Sequence, residues 1–525
     1  MKTPADVLLH NACIFTVNAG FTTAQALAIA GGRILETGSN KHILGSYHAP
    51  KVINLNGAFA YPGFYDAHCH LLRYARQLGE VHLFGAASFN EVLQRTVQYR
   101  QNNPKVKAII GRGWNQNLWQ PAQMPNRTAL DALFPDVPVL LTRVDLHAAV
   151  ANRAALDLAG IDANTQIDGG IVEVVNGQTS GLVIDNALYR VETALPAPSE
   201  QEFSNLLIQA QNHCFQYGLT SVADALVTPP DVKLFEELYR NNLLKLRIYA
   251  MMLATEENMQ YCFERGMSIS EGLTLRTFKF FADGALGSRG AWLQTPYSDA
   301  PDTCGLQLLH NPGFINQLLR IKHHGFQVAT HAIGDAANHF VVNSYANVLP
   351  PGNNLRWRLE HAQIIEPQDI NLIRQYQIIP SVQPTHATSD MYWVKERIGK
   401  RVQNAYTCRR LLQALGLLAA GSDFPVEHIN PLLGFYAATA RKDVQGYPPG
   451  GFFAQQALTR VQALKAMTIW AAYAAFEEHE RGSLQAGKLA DIAILDTNLM
   501  TAPLEQIPQA KVLLTLLDGK TVYEQ

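Results

Sequence analysis

Eight short apolar runs, each followed by an amphipathic stretch, constrain this chain more than any other feature. They read "AYPGFYDAHCH" (60–70), "GLTSVAD" (218–224), "LRIYAMM" (246–252), "LRTFKFFADG" (275–284), "FQVATHAIGD" (326–335), "RWRLEHAQ" (356–363), "IIPSVQPTHA" (378–387) and "LLAAGSDFPV" (417–426). Helix-like segments such as "NPGFINQLLRIKHHG" and "EPQDINLIRQYQ" separate them. Repeated strand–helix units bring successive strands together in parallel. Eight such units predict an α/β fold, a (β/α)8 TIM barrel.

One connection breaks the rhythm. About 150 residues lie between the first run and the second, far more than a crossover requires. Residues about 80–205 are therefore expected to form a large insertion after the first barrel strand, over the barrel mouth. The two ends of the chain resemble each other. "DVLLHNACIFTVN" and "KVINLNGAFAYPG" at one end, and "GSLQAGKLADIAILD" and "VLLTLLDGKTVYEQ" at the other, are strand-like runs between Gly and Asn. Residues 1–60 with 482–525 are expected to build one small composite β-sandwich domain beside a barrel domain spanning 61–481.

Composition narrows the partners. The chain carries 42 Lys and Arg against 44 Asp and Glu, a net charge of −2, which offers nothing to nucleic acid or an anionic membrane. No apolar run is long enough for a membrane span. The N-terminal stretch does not have a signal peptide's layout, because Asp6, His10 and Asn11 interrupt it. The six cysteines (Cys13, Cys69, Cys214, Cys262, Cys304 and Cys408) are scattered, with no C-x-x-C pair. Free thiols in a reducing compartment follow, hence a cytoplasmic location. The expected partner is a small molecule, and a homodimer is among the expected assemblies.

The chemistry gathers at the strand ends. Side chains alternate along a strand, so His68 and His70 share a face and Cys69 takes the other. Two imidazoles so placed can grip one metal ion, although the same spacing also suits a hydrogen-bonded pair. Later runs add Lys279, His331, His361 and Asp423, each near the C-terminal end of its strand, where barrel enzymes build their sites. Imidazoles and a carboxylate suit a divalent ion: Zn²⁺, with Mn²⁺, Fe²⁺ or Co²⁺ as competitors, in one or two copies. Lys279 lies in an apolar strand. Either it pairs with Glu360 or Asp283, or its neutral amine takes up CO₂ to become a carbamate able to bridge two metals. Further along, His386 and Asp390 follow the seventh run, and Asp283 and Arg289 follow Lys279. An arginine there could clamp a carboxylate or an oxyanion, or simply pair with Asp283. Trp114 and His147, in the insertion, could roof a substrate pocket or serve packing and a loop hydrogen bond. The apolar, aromatic insertion suggests a hydrophobic amine or acyl substituent.

The motifs "PGFYDAHCHL", "FKFFADGALGSRGA", "ATHAIGDAAN", "RLEHAQ", "SVQPTHATSDM", "GSDFPVE" and "GSLQAGKLADIAILD" together resemble the metal-dependent amidohydrolase superfamily. Within it the likeness is to the YtcJ-like proteins (amidohydrolase family 3), which include the N-substituted formamide deformylases. The resemblance implies His68 and His70 as ligands of one metal and His331 and His361 as ligands of the other. It implies carboxylated Lys279 as the bridge and Asp423 as both ligand and proton shuttle. Ala285 stands where the family often has Ser, and Tyr65 where Val or Ile is commoner. The implied reaction is hydrolysis of a non-peptide amide or formamide-type C–N bond. Attack comes from a metal-held hydroxide, the water's pKa having been lowered to about 7, with Asp423 moving the proton to the leaving nitrogen. Two other readings compete. A mononuclear-metal deaminase of the superfamily would carry a glutamate shortly after a strand-end histidine, yet "AIGDAAN" after His331 has none. A catalytically idle, metal-containing regulatory protein is the other.

Overall fold

The computed structural model describes residues 1–145, 147–270 and 272–525. They form two compact units, one of residues 1–72 with 210–525 and one of residues 73–209.

The first unit holds the barrel. Its strands are β1 (Phe64–Cys69), β2 (Leu219–Val227), β3 (Arg247–Leu253), β4 (Leu273–Phe281), β5 (Gln327–Ala332), β6 (Arg358–His361), β7 (Ile379–Val382) and β8 (Ala419–Ala420). Each pairs in parallel with the next, in that order. All eight overlap the runs expected from sequence; five lie inside them, while β2 and β3 end later and β4 begins earlier than the runs do. The reason is burial: every residue of β1 and of β5 is buried, and strands covered on both faces read as unbroken apolar runs. Helices fill the connections. Pro229–Arg240 follows β2 and opens on a capping box in which Thr228 and Asp231 satisfy each other's backbone N–H groups. Asp335–Ala346 follows β5 and Pro367–Gln375 follows β6.

Closure between β8 and β1 is made just past the short last strand. The Asp423 N–H donates to His68 O and the His70 N–H to Phe424 O, both at 2.8 Å. Gly421 permits this approach, since a Cβ there would lie 2.4 Å from His68 N and 2.7 Å from Asp66 Oδ1. Asp66 fastens the same seam, accepting from Ser422 Oγ at 2.6 Å and from the His68 N–H at 3.1 Å.

Both termini join this unit. Arg33–Gly38, Ala26–Ala30, Val7–His10 and Lys51–Asn54 make a four-stranded sheet. Lys520–Glu524, Val512–Leu517, Ile492–Leu495, Phe59–Pro62, Cys13–Phe15 and Thr23–Ala24 make a six-stranded one. Leu9, Ile14, Leu27, Ile29, Ile492 and Leu516 are buried together in one core cluster.

The second unit is built on a six-stranded sheet in the order Val81–His82, Ile109–Trp114, Val139–Arg143, Ala148–Ala151, Gln178–Asp185, Gly170–Val175. Trp114, Trp119, Leu141 and Val150 lie in its core. Among the described residues no helix is long and apolar enough to cross a membrane. All six cysteines are free thiols.

Candidate metal centre

The site grows from β1. Its register against β2 shifts between Asp66 and Cys69, an irregularity of the kind that re-aims side chains at barrel rims. His68 and His70 line one cavity, whereas the Cys69 thiol is fully buried and raised far above its usual range by burial and by the charges of Asp66 and Asp224. The His68 Nδ1 faces Glu360 Oε2 in a very short contact. Arg358 grips the same carboxylate through Nε at 2.6 Å and Nη2 at 3.1 Å, and its Nη2 also donates to Ala67 O and to Ser381 Oγ. A carboxylate on Nδ1 fixes the ring and leaves Nε2 for the cavity.

Around that nitrogen the other donors converge. The Lys279 Nζ lies 3.4 Å from His68 Nε2. Asp423 Oδ1 lies 3.1 Å from His70 Nε2 and 3.8 Å from His68 Nε2, and its Oδ2 lies 3.6 Å from His386 Nε2. The His361 ring is 4.4 Å from His331 and 5.8 Å from His386, centre to centre. Two trios have donor atoms within 4.8 Å of one another: His68, His70 and Asp423, and His361, His386 and Asp423. Asp423 belongs to both. His386, expected only at the substrate, thus joins the donor cluster, and His331 sits at its side with Nε2 3.3 Å from Asp283 Oδ1.

The electrostatics suit a cation. Burial, with Lys279 nearby, pushes His68 down to about 4, and burial beside His331 holds His361 well below its usual value. Both are neutral, ligand-ready imidazoles at neutral pH. Burial alone would raise the Asp423 carboxyl, but His70, His68 and His386 outweigh it and keep it ionised. Burial lowers Lys279 from 10.5 to about 8. The buried ring nitrogens His331 Nε2, His361 Nδ1 and His386 Nε2 make no hydrogen bond. Each such group costs about 1–3 kcal/mol unless something satisfies it. Neutral imidazoles, an anion and orphaned nitrogens in one buried cluster fit a divalent metal. Two of these residues also hold left-handed backbone, His361 at φ 68° and Asp423 at φ 64°, strain of about 1–3 kcal/mol each that persists where surroundings over-determine it.

The remaining expected residues lie as follows. Glu360 is committed to His68 and Arg358, and Asp283 accepts the N–H groups of Trp292, Ile333 and Gly334, so neither is spent on Lys279. Arg289 is half-buried and pairs with Asp299, at 2.9 Å, instead of Asp283. Trp114 is wholly buried in the second unit, its Nε1–H donating to Leu141 O. His147 is exposed on that unit and pairs with Asp185 at 2.7 Å. Sequence reasoning missed the roles of Arg358 and Ser422, and it read Glu360 only as a partner for Lys279. The available signal was "RLEH", which puts Arg358 and Glu360 on one face of a buried strand.

The cavity around the donors measures about 350 Å³ and is walled further by Phe281, Leu286, Ile333, Trp393 and Val426. Residues 51–523 match the model of a protein family described as an amidohydrolase family. The chain is 33% identical to the protein LONG AFTER FAR-RED 3 of Arabidopsis thaliana, over 99% of this chain and 92% of that one. It is 32% identical to YtcJ of Bacillus subtilis (strain 168), whose amidohydrolase designation is provisional, over 98% and 99% of the two chains. It is 26% identical to the N-substituted formamide deformylase of Arthrobacter pascens, over 99% and 98%. Among solved structures, an uncharacterized metal-dependent hydrolase from Pyrococcus horikoshii OT3 superposes with a TM-score of 0.81 at 26% identity, covering 95% of this chain and 99% of the other.

Proposed function

The chain belongs to the amidohydrolase family and is a hydrolase, and from that premise we propose that it cleaves a non-peptide C–N bond of the amide or formamide type in a small molecule. The name of the Arthrobacter pascens relative, a deformylase of N-substituted formamides, supports the formamide type. One observation carries the reading: a wholly buried lysine, Lys279, set 3.4 Å from a ligand-ready imidazole among further donors. A buried ammonium is costly, and burial already favours the neutral amine. The neutral amine adds to CO₂, releasing one proton and forming a carbamate, which would give the cluster a second anionic oxygen donor beside Asp423.

His68, His70, His331, His361, His386 and Asp423, with carboxylated Lys279, are the residues that would hold the metal, and their donor types suit Zn²⁺. A divalent ion held there supplies Lewis acidity, which acidifies water and polarises a carbonyl. The protein does the rest. Glu360 and Arg358 lock the His68 ring. Asp423 is anionic before the attack, takes the proton shed by the attacking water at a carboxylate oxygen, and returns it to the leaving nitrogen, which restores the anion. Phe281, Ile333 and Trp393 exclude bulk water from the reacting groups.

The test begins with elemental analysis of protein purified without chelator, expected to find about one divalent transition ion per chain, or about two where the carbamate bridges a pair. Lys279→Ala should lose metal and amine release from N-substituted formamides together. A metal-free wild-type protein overturns the hydrolytic reading, and unchanged metal content in the variant overturns the carbamate.

A further inference from the structure

Outside the donor cluster, one buried charge lacks a counter-charge. Arg441, just past the helix Pro431–Ala440, is 0% exposed. Its Nε donates to Phe452 O at 2.9 Å, whereas Nη1 and Nη2 make no hydrogen bond. Among the described residues no carboxylate ion-pairs with it within 4.0 Å. The groups that act on its charge are the Cys408 thiol, within hydrogen-bonding reach, and the Tyr406 hydroxyl. Tyr406 is committed elsewhere, donating to Asp390 Oδ2 at 2.6 Å and accepting from Gln363 Nε2 at 2.9 Å. Burial pushes the Cys408 thiol up despite Arg441, so it keeps its proton and supplies no anion. A guanidinium stays protonated at any working pH and cannot escape burial by turning neutral. Buried charges are otherwise paired, because an unpaired one is among the costliest things an interior can hold.

A second observation comes from the helix that begins at Cys408. Cys408–Leu415 starts without a side-chain cap: Thr407, at the N-cap position, is 0% exposed and its Oγ1 makes no hydrogen bond. The free N–H groups and partial positive charge of a helix start favour an anion. An orphaned hydroxyl, a helix start and an uncompensated guanidinium thus meet at Cys408. A cavity lined by Tyr406, Thr407, Cys408 and Leu411 measures about 10 Å³, close to the least that admits one water-sized particle. Phosphate, sulfate and carboxylates are too large for it, which leaves a single-atom anion. His361 and His386 line the same cavity, so a divalent ion on those imidazoles adds to the positive potential. We propose that a halide ion, of the chloride class, is held at the start of this helix as the counter-charge to Arg441, with the Thr407 O–H donating to it. Its influence reaches the larger cavity through Tyr406, because Asp390 and Gln363 both line that cavity. The inference does not depend on the hydrolytic reading, since Arg441, Thr407 and Cys408 are not among the metal donors.

The probe is sodium bromide. Full-length, metal-loaded protein is dialysed into sodium gluconate and titrated with bromide at constant ionic strength, and the melting temperature is read. A saturable rise is expected in the wild type, as binding to the folded state alone produces. Arg441→Met keeps much of the volume and removes the charge, and its melting temperature should not respond. Thr407→Val serves as a second variant should Arg441→Met fail to fold. It should need about tenfold more bromide for the same rise, the scale of one lost hydrogen bond to a charged group. Crystals soaked in bromide should show an anomalous peak between Arg441 and the helix start. A response equal in the wild type and a folded variant overturns the proposal, because a halide bound at the metal centre acts on both alike. A wild type that does not respond, or a soaked crystal with no peak at this position, overturns it too. Metal content of the same samples reports on the hydrolytic reading separately.

Discussion

Glu360 holds two groups of different purpose on one carboxylate, the Arg358 guanidinium and the His68 ring. Burial would raise its pKa, but Arg358, His68 and Lys279 outweigh that and keep it anionic. On one side it compensates a guanidinium that is 0% exposed, and on the other it fixes the Nδ1 of a candidate metal ligand. Glu360→Gln removes the charge while keeping the shape. Arg358 is then buried without its counter-charge, which costs about 3–5 kcal/mol when a buried pair is broken. The His68 ring loses its anionic anchor, and such losses lower metal affinity about 10–100-fold. The variant should melt earlier and surrender its metal to a chelator sooner, and a wild-type response in both would remove Glu360 from the role assigned to it. The sequence spacing could place Glu360 on a buried strand beside Arg358. It could not show that the strand faces His68, 292 positions away, because alternation along one strand carries no information about what lies across the barrel.

Among the elements, β8 does most with least. It has two residues, yet the segment after it closes the barrel and delivers Asp423. Gly421 sits at that seam. Adding a methyl group there would place it 2.4 Å from His68 N and 2.8 Å from His68 O, both backbone atoms that cannot swing aside. Gly421→Ala should therefore push β8 off β1, destabilising by about 1–3 kcal/mol or more as overpacking does. It should also disturb the spacing of Asp423 to His70, so metal content falls along with the melting temperature. Full metal occupancy with unchanged stability would show that the seam yields freely. The strands themselves were readable, since parallel strands buried on both faces leave continuous apolar runs. The turns that aim the donors were not: the left-handed backbone at His361 and Asp423 is imposed by the packing around them, and neither residue type announces it. The same gap explains His386. As a helix residue after β7 it read as a substrate contact, and only the fold brings its Nε2 to 3.6 Å from Asp423.

At the scale of the whole chain, the β sheets formed by the two termini are tied to the barrel by one buried cluster. Arg247, which opens β3, reaches Asp491 through Nε at 2.8 Å and Nη2 at 3.0 Å, and Asp518 through Nη2 at 2.5 Å. Asp491 immediately precedes the strand Ile492–Leu495, and its main chain accepts from the Gly63 N–H at 2.8 Å just before β1. Chain segments hundreds of positions apart thus meet where the barrel begins. Burial raises the Asp491 carboxyl, but Arg247 outweighs it, so the folded-state pKa lies below its usual value. A carboxyl depressed in the folded state stabilises fully above its unfolded pKa, about 3.9, and loses that contribution as pH falls through the lower folded value. Asp491→Asn leaves Arg247 without its main counter-charge and should cost about 3–5 kcal/mol at neutral pH. The gap between wild type and variant should stay constant from pH 7 down to about pH 4 and then shrink, because the wild type begins to protonate the same group. Urea denaturation midpoints at pH 7, 5 and 3 measure this. A gap as large at pH 3 as at pH 7 would mean that Asp491 acts through its shape and hydrogen bonds, and that its charge does not hold the termini to the barrel.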